Sequence, residues 1–567
     1  MKHFSIFLLV IFHLFTKGQD NYYANPVKIP LILSGSFAEL RSNHFHSGID
    51  IKTNGRTGVP VYSVAEGVIT RIVVSPTGFG KAVYIDHPNG TTSVYGHLRA
   101  FRPDIEEYVK DYQYQNQTFR VDLQVPGDIF KVKKEELLGK SGNSGSSGGP
   151  HLHFEIRDTP SQQPLNPLNY PFPVKDNTPP RIYSLMVVPL GKNAHVDFRS
   201  GPKIFPVVYN GENYHLRGNP IIPVSGNIGF ALHANDFFDE SNNRCGIYSM
   251  QMKFNGEVYY SFRMDRFSFA ESRYINSHIH YEEYILSKRR FHKTWTDPAN
   301  KLSIYDFIRQ NGIVEANDGG IHHVRFELTD THGNASFLEF NVESKSGKMA
   351  AQPQKFIRIM EHSRKNQFRS GGLKVDFPEN SFYTDIPFEY QMLPGKKEFF
   401  TPIHAIHKET VPLHAAVRLS LKPRDIPLDL QHKALFVTID PKSEKVSAAG
   451  GSFSNGWVTG KIRNFGHYAV ALDTIAPKII PLSIRNNSDL TETNRIRFRI
   501  TDELSGITRI EGKLNGKWAL FEYDAKNNLI THYFDAGRFE LKKRHHLKLI
   551  VIDHCKNKST YEASFWK

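Results

Sequence analysis

Two short histidine-containing segments, about a hundred residues apart, restrict the fold of this chain more than any other feature. The first contains His46 and Asp50, and the second is His151-Leu152-His153. Side chains alternate between the two faces of a β-strand, so both imidazoles of an HxH pair point to the same side. Catalytic zinc takes three protein ligands, drawn from histidine and from aspartate or glutamate, and keeps a fourth position for water. The pattern therefore predicts a sheet that joins remote segments around a metal ion.

The residues alone do not choose between His151 and His153, because only one imidazole of the pair need face the metal. The chain has no HExxH motif, which excludes a helical zinc site. A further imidazole, His97, lies between the two segments in Tyr95-Gly96-His97-Leu98. Spare histidines beside a metal indicate a hydrolase, since an imidazole can act there as the base.

Residues 44–158 resemble the lysostaphin/LytM-type zinc endopeptidases of the M23 family, which cut peptide bonds in bacterial cell-wall peptidoglycan. The resemblance covers about a quarter of the chain. It rests on blocks that keep the order of the family, at Phe45 to Ile51, Gly78 to His87, Ser93 to Leu98 and Gly149 to Ile156.

The resemblance implies an antiparallel β-sheet peptidase domain that binds one zinc ion. It assigns His46, Asp50 and His153 as the metal ligands, and His97 and His151 as catalytic residues beside the open coordination position. It also implies a peptidoglycan peptide as the substrate.

Two nearby features have alternative interpretations. Glu155 shares a strand face with the histidine pair, where it either orients a metal ligand or is a solvated charge. His44 is interpreted as surface or cleft rim. Residues 99–124 form an insertion with a short helix expected from Pro103, and they either wall the cleft or form a surface excursion.

The loop Ser141 to Pro150 is rich in glycine and lacks the strand-turn-helix context of a nucleophile loop. We therefore predict that it forms a wall of the cleft.

The whole chain is expected to be mainly β, with the LytM-like domain followed by about three β-sandwich-like domains. Short alternating strands separated by glycine, proline and asparagine support this prediction. The predicted segments are a signal peptide (1–19), an M23-type peptidase domain (27–172), an immunoglobulin-like domain (176–345), a β-rich domain (356–472) and a second immunoglobulin-like domain (473–567).

The two immunoglobulin-like segments are copies of one repeat. Asp176 to Ile182 and Asp473 to Ile479 have the same opening pattern. In both copies a His-His pair is followed eight residues later by Asp, and then by Asn after four more. We interpret each pair as the start of a half-buried strand rather than a second metal site. The aspartates Asp330 and Asp553 match a turn better than a calcium site.

Composition indicates where the protein acts. The net charge is +14, of which +12 falls on residues 173–567. This basic region either contacts an anionic envelope surface or serves solubility alone, and nucleic acid is not an expected partner. Residues 4–15 are almost wholly apolar but too short for a bilayer, which needs about 20 residues. We expect export to the periplasm, cell envelope or medium, without a transmembrane segment in the mature chain.

Two cysteines, Cys245 and Cys555, are expected to stay unpaired.

These features predict a secreted zinc endopeptidase that remodels peptidoglycan. Two alternatives remain at this point. One is a catalytically silent wall-binding regulator or scaffold. The other is a peptidase that acts on a glycine-rich protein.

Overall fold

A computed structural model describes residues 22–191, 193–347, 356–535 and 537–567. The predicted signal peptide lies outside the described residues. The protein is mainly β, with 47% of residues in strands and 8% in helices, which confirms the predicted class. Among the described residues no helix is long and apolar enough to cross a membrane.

The N-terminal domain is built on an antiparallel sheet in the order β1-β2-β11-β6-β5-β4-β8. A small second sheet has the order β3-β10-β7, while β12 pairs with β11 and β9 pairs with β4. The strands are β1 (Leu33–Gly35), β2 (Ile49–Lys52), β3 (Pro60–Tyr62), β4 (Gly67–Val74), β5 (Lys81–Asp86), β6 (Thr91–Leu98), β7 (Ala100–Phe101), β8 (Val121–Gln124), β9 (Lys131–Val132), β10 (Leu137–Lys140), β11 (His151–Asp158) and β12 (Pro164–Leu165).

The insertion after β7 forms helix α1 (Pro103–Asn116). Proline suits the first helical position, because its fixed φ and missing N–H cost nothing there. The helix ends at Gln117, which has a left-handed backbone. The helix thus starts at the predicted residue and is longer than the short segment expected.

The second domain contains one large, mixed sheet and two short helices. Its long strand β17 pairs with β13 through its second half and with β24 and β14 through its first half, bending at Gly226, where φ is 78°. The elements are β13 (Arg181–Pro189), β14 (His195–Val196), β15 (Lys203–Tyr209), β16 (Tyr214–Leu216), β17 (Ile222–Asn235), β18 (Ser249–Phe254), β19 (Glu257–Arg263), α2 (Ile275–His278), α3 (Tyr281–Ser287), β20 (His292–Lys293), β21 (Tyr305–Ile308), β22 (Val314–Ala316), β23 (Ile321–Thr329) and β24 (Ala335–Ser344).

The third domain has two five-stranded sheets around one apolar core, in the orders β26-β27-β31-β35-β34 and β29-β30-β36-β32-β33. Its strands are β25 (Arg358–Met360), β26 (Asn366–Ser370), β27 (Leu373–Phe377), β28 (Ile386–Phe388), β29 (Tyr390–Leu393), β30 (Ile403–Ile406), β31 (Pro412–Leu421), β32 (Ala434–Ile439), β33 (Val446–Gly450), β34 (Ser452–Ser454), β35 (Trp457–Asn464) and β36 (Gly466–Leu472).

The fourth domain also has two sheets, in the orders β37-β39-β43-β42 and β38-β45-β44-β40-β41. Its strands are β37 (Lys478–Pro481), β38 (Ser488–Asp489), β39 (Arg495–Thr501), β40 (Ile507–Leu514), β41 (Lys517–Ala519), β42 (Glu522–Asp524), β43 (Leu529–Tyr533), β44 (Arg544–Asp553) and β45 (Lys558–Trp566). The short 3-10 helices are Pro167–Asn169, Ser272–Tyr274, Gln310–Gly312, Leu428–Lys433 and Ala525–Asn527.

The His-His pairs begin β-strands, as the sequence predicts. His322 and His545 are buried, and the histidine after each is exposed. Both cysteines are free and buried, which confirms the expectation for Cys245 and Cys555.

The domains share apolar contacts as well as linkers. Phe37, Leu40 and Phe45 of the N-terminal domain belong to the core of the second domain. In return Phe238 and Cys245 pack into the N-terminal core. Because burial of each large apolar side chain contributes about 1.5–3 kcal/mol, this exchange fixes the second domain against the N-terminal sheet.

Candidate metal centre

Strand pairing brings the two histidine segments together. Strand β11 lies between β2 and β6, and its register places His153 opposite Asp50 on one side and Gly96 on the other. His151, two residues earlier on β11, therefore lies on the same face of the sheet. His46 lies three residues before the start of β2. The sheet thus brings all four side chains together near the N-terminal end of β11.

The three predicted ligands converge. His46 Nε2 is 3.1 Å from His153 Nδ1, and Asp50 Oδ1 is 3.1 Å from the former and 3.0 Å from the latter. All three residues are buried. The second carboxylate oxygen, Oδ2, accepts a hydrogen bond of 3.1 Å from Arg41, a residue that the sequence analysis missed.

Each of the two ligand imidazoles is oriented by a hydrogen bond from its outer nitrogen. His46 Nδ1 donates to the carbonyl of Ser36 at 2.7 Å, and His153 Nε2 donates to Glu155 Oε1 at 2.7 Å. Since the outer nitrogens carry these protons, the inner nitrogens present lone pairs to each other. Two lone pairs and a carboxylate oxygen at this distance require a positive charge between them, which either a metal ion or a proton on His153 Nδ1 supplies.

This donor set fits zinc. Tetrahedral bonds of about 2.0–2.1 Å place zinc ligand atoms about 3.3 Å apart, close to the spacing found here. The electrostatics agree with the geometry. Burial would lower the pKa of His153, but its hydrogen bonds to Asp50 and Glu155 raise it to about 9. Burial would raise the pKa of Asp50, whereas His46, His151 and His153 hold it well below its usual value.

Glu155 is not a solvated charge. Its side chain is 0% exposed, and besides His153 it accepts hydrogen bonds from Ser47 and from Arg157, the latter at 2.6 Å. Burial alone would raise its pKa, but chiefly the charge of Arg157 lowers it to about 2. The structure therefore favours the interpretation in which Glu155 orients a ligand.

The two predicted catalytic histidines flank this group. The ring centroids of His97 and His151 are 4.8 Å apart, and His151 Nε2 is 3.3 Å from Asp50 Oδ1. His97 Nδ1 donates to the carbonyl of Ser144 at 2.9 Å, and His151 Nδ1 donates to that of Gly149 at 2.8 Å. The Nε2 atoms are therefore unprotonated in the neutral rings.

His97 is held in an unusual conformation. Its φ of 59° lies in the left-handed region, which costs a residue with a side chain of order 1 kcal/mol. Burial, with the charges of His153 and His151, lowers its pKa to about 3, so the ring is neutral at pH 7.

The glycine-rich loop forms a wall of the cleft, as predicted. Ser146, Ser147 and Gly148 line a cavity of about 520 Å³ that also contains the five histidine and aspartate side chains. The rim includes His44, in agreement with its interpretation. The opposite wall comes from the second domain, through Phe269, Ser272 and Arg273, none of which the sequence analysis identified.

The fourth domain also reaches this site. Lys526 Nζ donates to the carbonyls of Asn143 and Ser147, the latter at 3.0 Å. Helix α1 of the insertion meets the same domain: Lys110 pairs with Asp535 at 3.4 Å. None of residues 99–124 is among those lining the cavity. The insertion therefore serves as a contact for the fourth domain, and the hypothesis that it walls the cleft is wrong.

Two family models match the chain. Residues 44–115 match peptidase family M23, a range that includes His46, Asp50 and His97 and ends before β11. Residues 357–473 match a Zu5-like domain. The match to peptidase family M23 lies in the domain that contains the candidate metal centre.

Curated relatives resemble about a quarter of the chain. The DD-carboxypeptidase/endopeptidase Mpg of Neisseria meningitidis serogroup B is 34% identical over 139 residues, which are 24% of this chain and 26% of the relative. An uncharacterised metalloprotease of Haemophilus influenzae is 30% identical over 128 residues, 23% of this chain and 21% of the relative. The match thus spans about a quarter of these relatives.

Two solved structures are similar to about a quarter of the chain. The catalytic domain of the prophage-encoded M23 protein EnpA from Enterococcus faecalis is 27% identical, with 26% of this chain and 95% of that chain covered and a TM-score of 0.20. The lysostaphin catalytic domain from Staphylococcus simulans is 23% identical, with 24% and 90% covered and a TM-score of 0.19.

Proposed function

We infer from its peptidase family M23 domain that this chain is a zinc-dependent endopeptidase that hydrolyses peptide bonds in the stem peptides or cross-bridges of peptidoglycan. One observation carries the proposal: two imidazole nitrogens and a carboxylate oxygen meet within 3.1 Å, with the outer nitrogens already committed as donors. His46, Asp50 and His153 would hold one zinc ion. Bound zinc supplies a Lewis acid that makes water nucleophilic near neutral pH.

His97 and His151 would carry out the proton transfers. Each ring has its Nδ1 proton fixed on a carbonyl, so each Nε2 is free to accept a proton from the attacking water. Once protonated, such a nitrogen donates a hydrogen bond to the oxyanion that develops on the scissile carbonyl. In neutral His97 the Nε2 lone pair is available for this proton, because Nδ1 donates to the carbonyl of Ser144.

The cleft suits an extended, unbranched peptide of small residues. It lies between the glycine-rich loop and the second domain, and the side chain of Phe79 stacks on His153 at its base, with 4.9 Å between ring centroids. We propose that the basic residues 173–567 hold the enzyme at anionic polymers or lipids of the envelope, after export.

Murein digestion tests the proposed function. We expect the purified mature protein to release peptide fragments, detected by mass spectrometry, to lose this activity with a chelator and to regain it with zinc. Elastin, as a glycine-rich protein, is the comparison substrate. Full activity after chelation would contradict the zinc assignment, and cleavage of elastin alone would contradict the peptidoglycan assignment.

Glu155→Gln should weaken zinc binding. The change keeps the shape of the side chain but removes the charge that accepts the His153 Nε2 proton. Loss of such an orienting partner typically costs 10–100-fold in metal affinity, and we expect an increase of about that size in the zinc Kd. A competition titration with a chromophoric chelator measures it.

The control for this variant is Glu107→Gln, which makes the same change at an exposed site on α1. Thermal unfolding of both variants separates a loss of fold from a loss of affinity. An unchanged zinc Kd in folded Glu155→Gln would contradict the orienting role.

Lys526→Met should slow the reaction without affecting zinc content. The ammonium of Lys526 donates hydrogen bonds to the carbonyls of Asn143 and Ser147 in the cleft wall. Ser144, whose carbonyl accepts from His97 Nδ1, lies between them in the sequence. A part-exposed hydrogen bond of this kind contributes about 1 kcal/mol, so kcat should fall about fivefold. Steady-state kinetics on a soluble muropeptide measures the change. Lys513→Met, an exposed lysine of the same domain, is the control, and equal rates in both variants would exclude this role.

A further inference from the structure

A second group of acidic side chains lies outside the peptidase site, at the junction of the N-terminal and second domains. Asp176 precedes β13, Asp236 follows β17 and Asp330 follows β23. These residues are 7%, 2% and 3% exposed. Ligand atoms of Asp176, Asp330 and His332 lie within 4.8 Å of one another, and the charges of Asp176 and Asp330 act on Asp236.

Two buried carboxylate oxygens of this group have no hydrogen-bond partner among the described residues. They are Asp236 Oδ1 and Asp176 Oδ2. Asp176 Oδ2 faces His332 Nδ1 at 3.7 Å, which is too long for a hydrogen bond, while Asp176 Oδ1 accepts from the backbone of Thr178 at 3.0 Å. A buried polar atom without a partner costs about 1–3 kcal/mol, and more when it is charged.

The negative charge of the group is also uncompensated. In the described part of the chain no lysine or arginine forms an ion pair or hydrogen bond with Asp176, Asp236 or Asp330, and His332 is the one basic group beside them. Asp239 adds a further carboxylate nearby. Burial and the charges of Asp176 and Asp330 raise the pKa of Asp236 to about 9. Like charges buried together need a cation or protons to neutralise them.

The fourth domain repeats the arrangement with one instructive difference. Asn557 Nδ2 bonds Asp553 Oδ2 at 2.7 Å and the carbonyl of Asp473 at 2.8 Å. Asn334 Nδ2 makes the equivalent bonds to Asp330 Oδ2 at 2.7 Å and to the carbonyl of Asp176 at 3.2 Å.

In that second copy one of the free oxygens is occupied by the protein itself, while Asp502 Oδ2 is likewise buried without a partner among the described residues. Asp473 Oδ2 accepts from the backbone of Ser505 at 2.9 Å, and the ammonium of Lys433 lies 2.6 Å from Asn557 Oδ1. The copy at Asp176 lacks both contacts among the described residues. Asp176 Oδ2 of the first copy therefore stays free, whereas its counterpart in the second copy, Asp473 Oδ2, accepts from the backbone of Ser505.

We propose that Asp176 and Asp330, whose ligand atoms lie within 4.8 Å of each other, bind a divalent cation of the calcium type, with Asp236 as a further carboxylate of the group. Carboxylate oxygens are the ligands that Ca²⁺ prefers, and its flexible coordination of six to eight oxygens tolerates an irregular set completed by water. One ion would satisfy both the free oxygen of Asp176 and the uncompensated charge of the group.

Such an ion would join the interdomain linker to the second domain. His332 Nε2 already donates to the carbonyl of Val174 at 3.0 Å, just before Asp176. The loop that starts at Asp236 continues to Gly246, whose backbone N–H donates to Ser36 Oγ at 2.9 Å. Ser36 is the residue whose carbonyl orients His46. The ion would thus stiffen the contact on which one side of the peptidase site rests.

Calcium titration of the full, zinc-loaded protein tests this proposal independently of activity. After exchange into calcium-free buffer, we expect saturable Ca²⁺ binding by calorimetry and a rise in Tm of about 5 °C or more at saturation. Asp176→Asn should melt above wild type in calcium-free buffer, because its repulsion with Asp330 is relieved, and below wild type in Ca²⁺. Asp318→Asn, an exposed carboxylate of the same domain, should retain the wild-type shift.

A variant that melts above wild type without Ca²⁺ and below wild type with Ca²⁺ must be folded in both conditions. Misfolding therefore cannot produce this result. Asp330→Asn carries the same expectation if Asp176→Asn does not fold, because it removes the charge of the other carboxylate. Absence of Ca²⁺ binding at millimolar concentration would overturn the proposal. Calcium binding that persists unchanged in the folded variants, or zinc binding there in preference to calcium, would overturn it as well.

Discussion

His153→Ala is expected to yield a folded protein without zinc and to lower kcat/KM on peptidoglycan peptides more than about a thousandfold. Loss of an orienting partner alone costs 10–100-fold, and loss of a ligand should exceed that. His153 is the centre of the group, because its Nδ1 lies 3.1 Å from His46 Nε2 and 3.0 Å from Asp50 Oδ1. Metal content by mass spectrometry and initial rates on murein measure the two effects.

His87→Ala is a matched control for this variant. His87 is also a buried histidine of the N-terminal domain, with hydrogen bonds to the carbonyl of Glu66 and to Ser93 Oγ, and it does not line the cleft. Its truncation leaves a similar cavity, so any loss of stability should be similar while zinc and activity are kept. Zinc bound at wild-type affinity in His153→Ala would refute the ligand assignment.

The candidate site could be predicted from the sequence because its side chains are histidine and aspartate. The alternation of side chains along a strand then shows which of them share a face. The HxH pattern requires two imidazoles on one face, and the register of β11 against β2 and β6 gives that face a carboxylate, Asp50, directly opposite His153. The mainly β class follows from the same alternation of side chains.

Contacts between domains could not be read in this way. Arg273 and Lys526 reach the cleft from sequence positions more than a hundred residues away, and no local periodicity marks a residue for a contact with another domain. The insertion illustrates the same limit. Its helix begins at Pro103 as predicted, since proline acts locally, but its partner is the fourth domain, through Lys110 and Asp535.

His151→Ala should have the opposite profile from His153→Ala: zinc is retained and catalysis is lost. A positioned general acid–base group contributes 10²–10⁴-fold, and kcat should fall by about that factor with little change in KM. The reason is geometric, because His151 Nδ1 is fixed on the carbonyl of Gly149 and its Nε2 is left to move the proton. Steady-state kinetics on a soluble muropeptide, with zinc content measured on the same sample, gives both quantities.

Zinc content is the measurement that separates the two histidines, which the sequence alone leaves as alternatives. Both touch the same oxygen, Asp50 Oδ1, at 3.0 Å for His153 and 3.3 Å for His151. If His151→Ala loses zinc and His153→Ala keeps it, the ligand and the base are exchanged.

A double His97→Ala, His151→Ala variant should have a kcat only slightly below that of His151→Ala if the two imidazoles act as one unit, because the effects of such residues are not additive. Independent, multiplicative losses would instead assign the proton transfer and the oxyanion contact to separate rings.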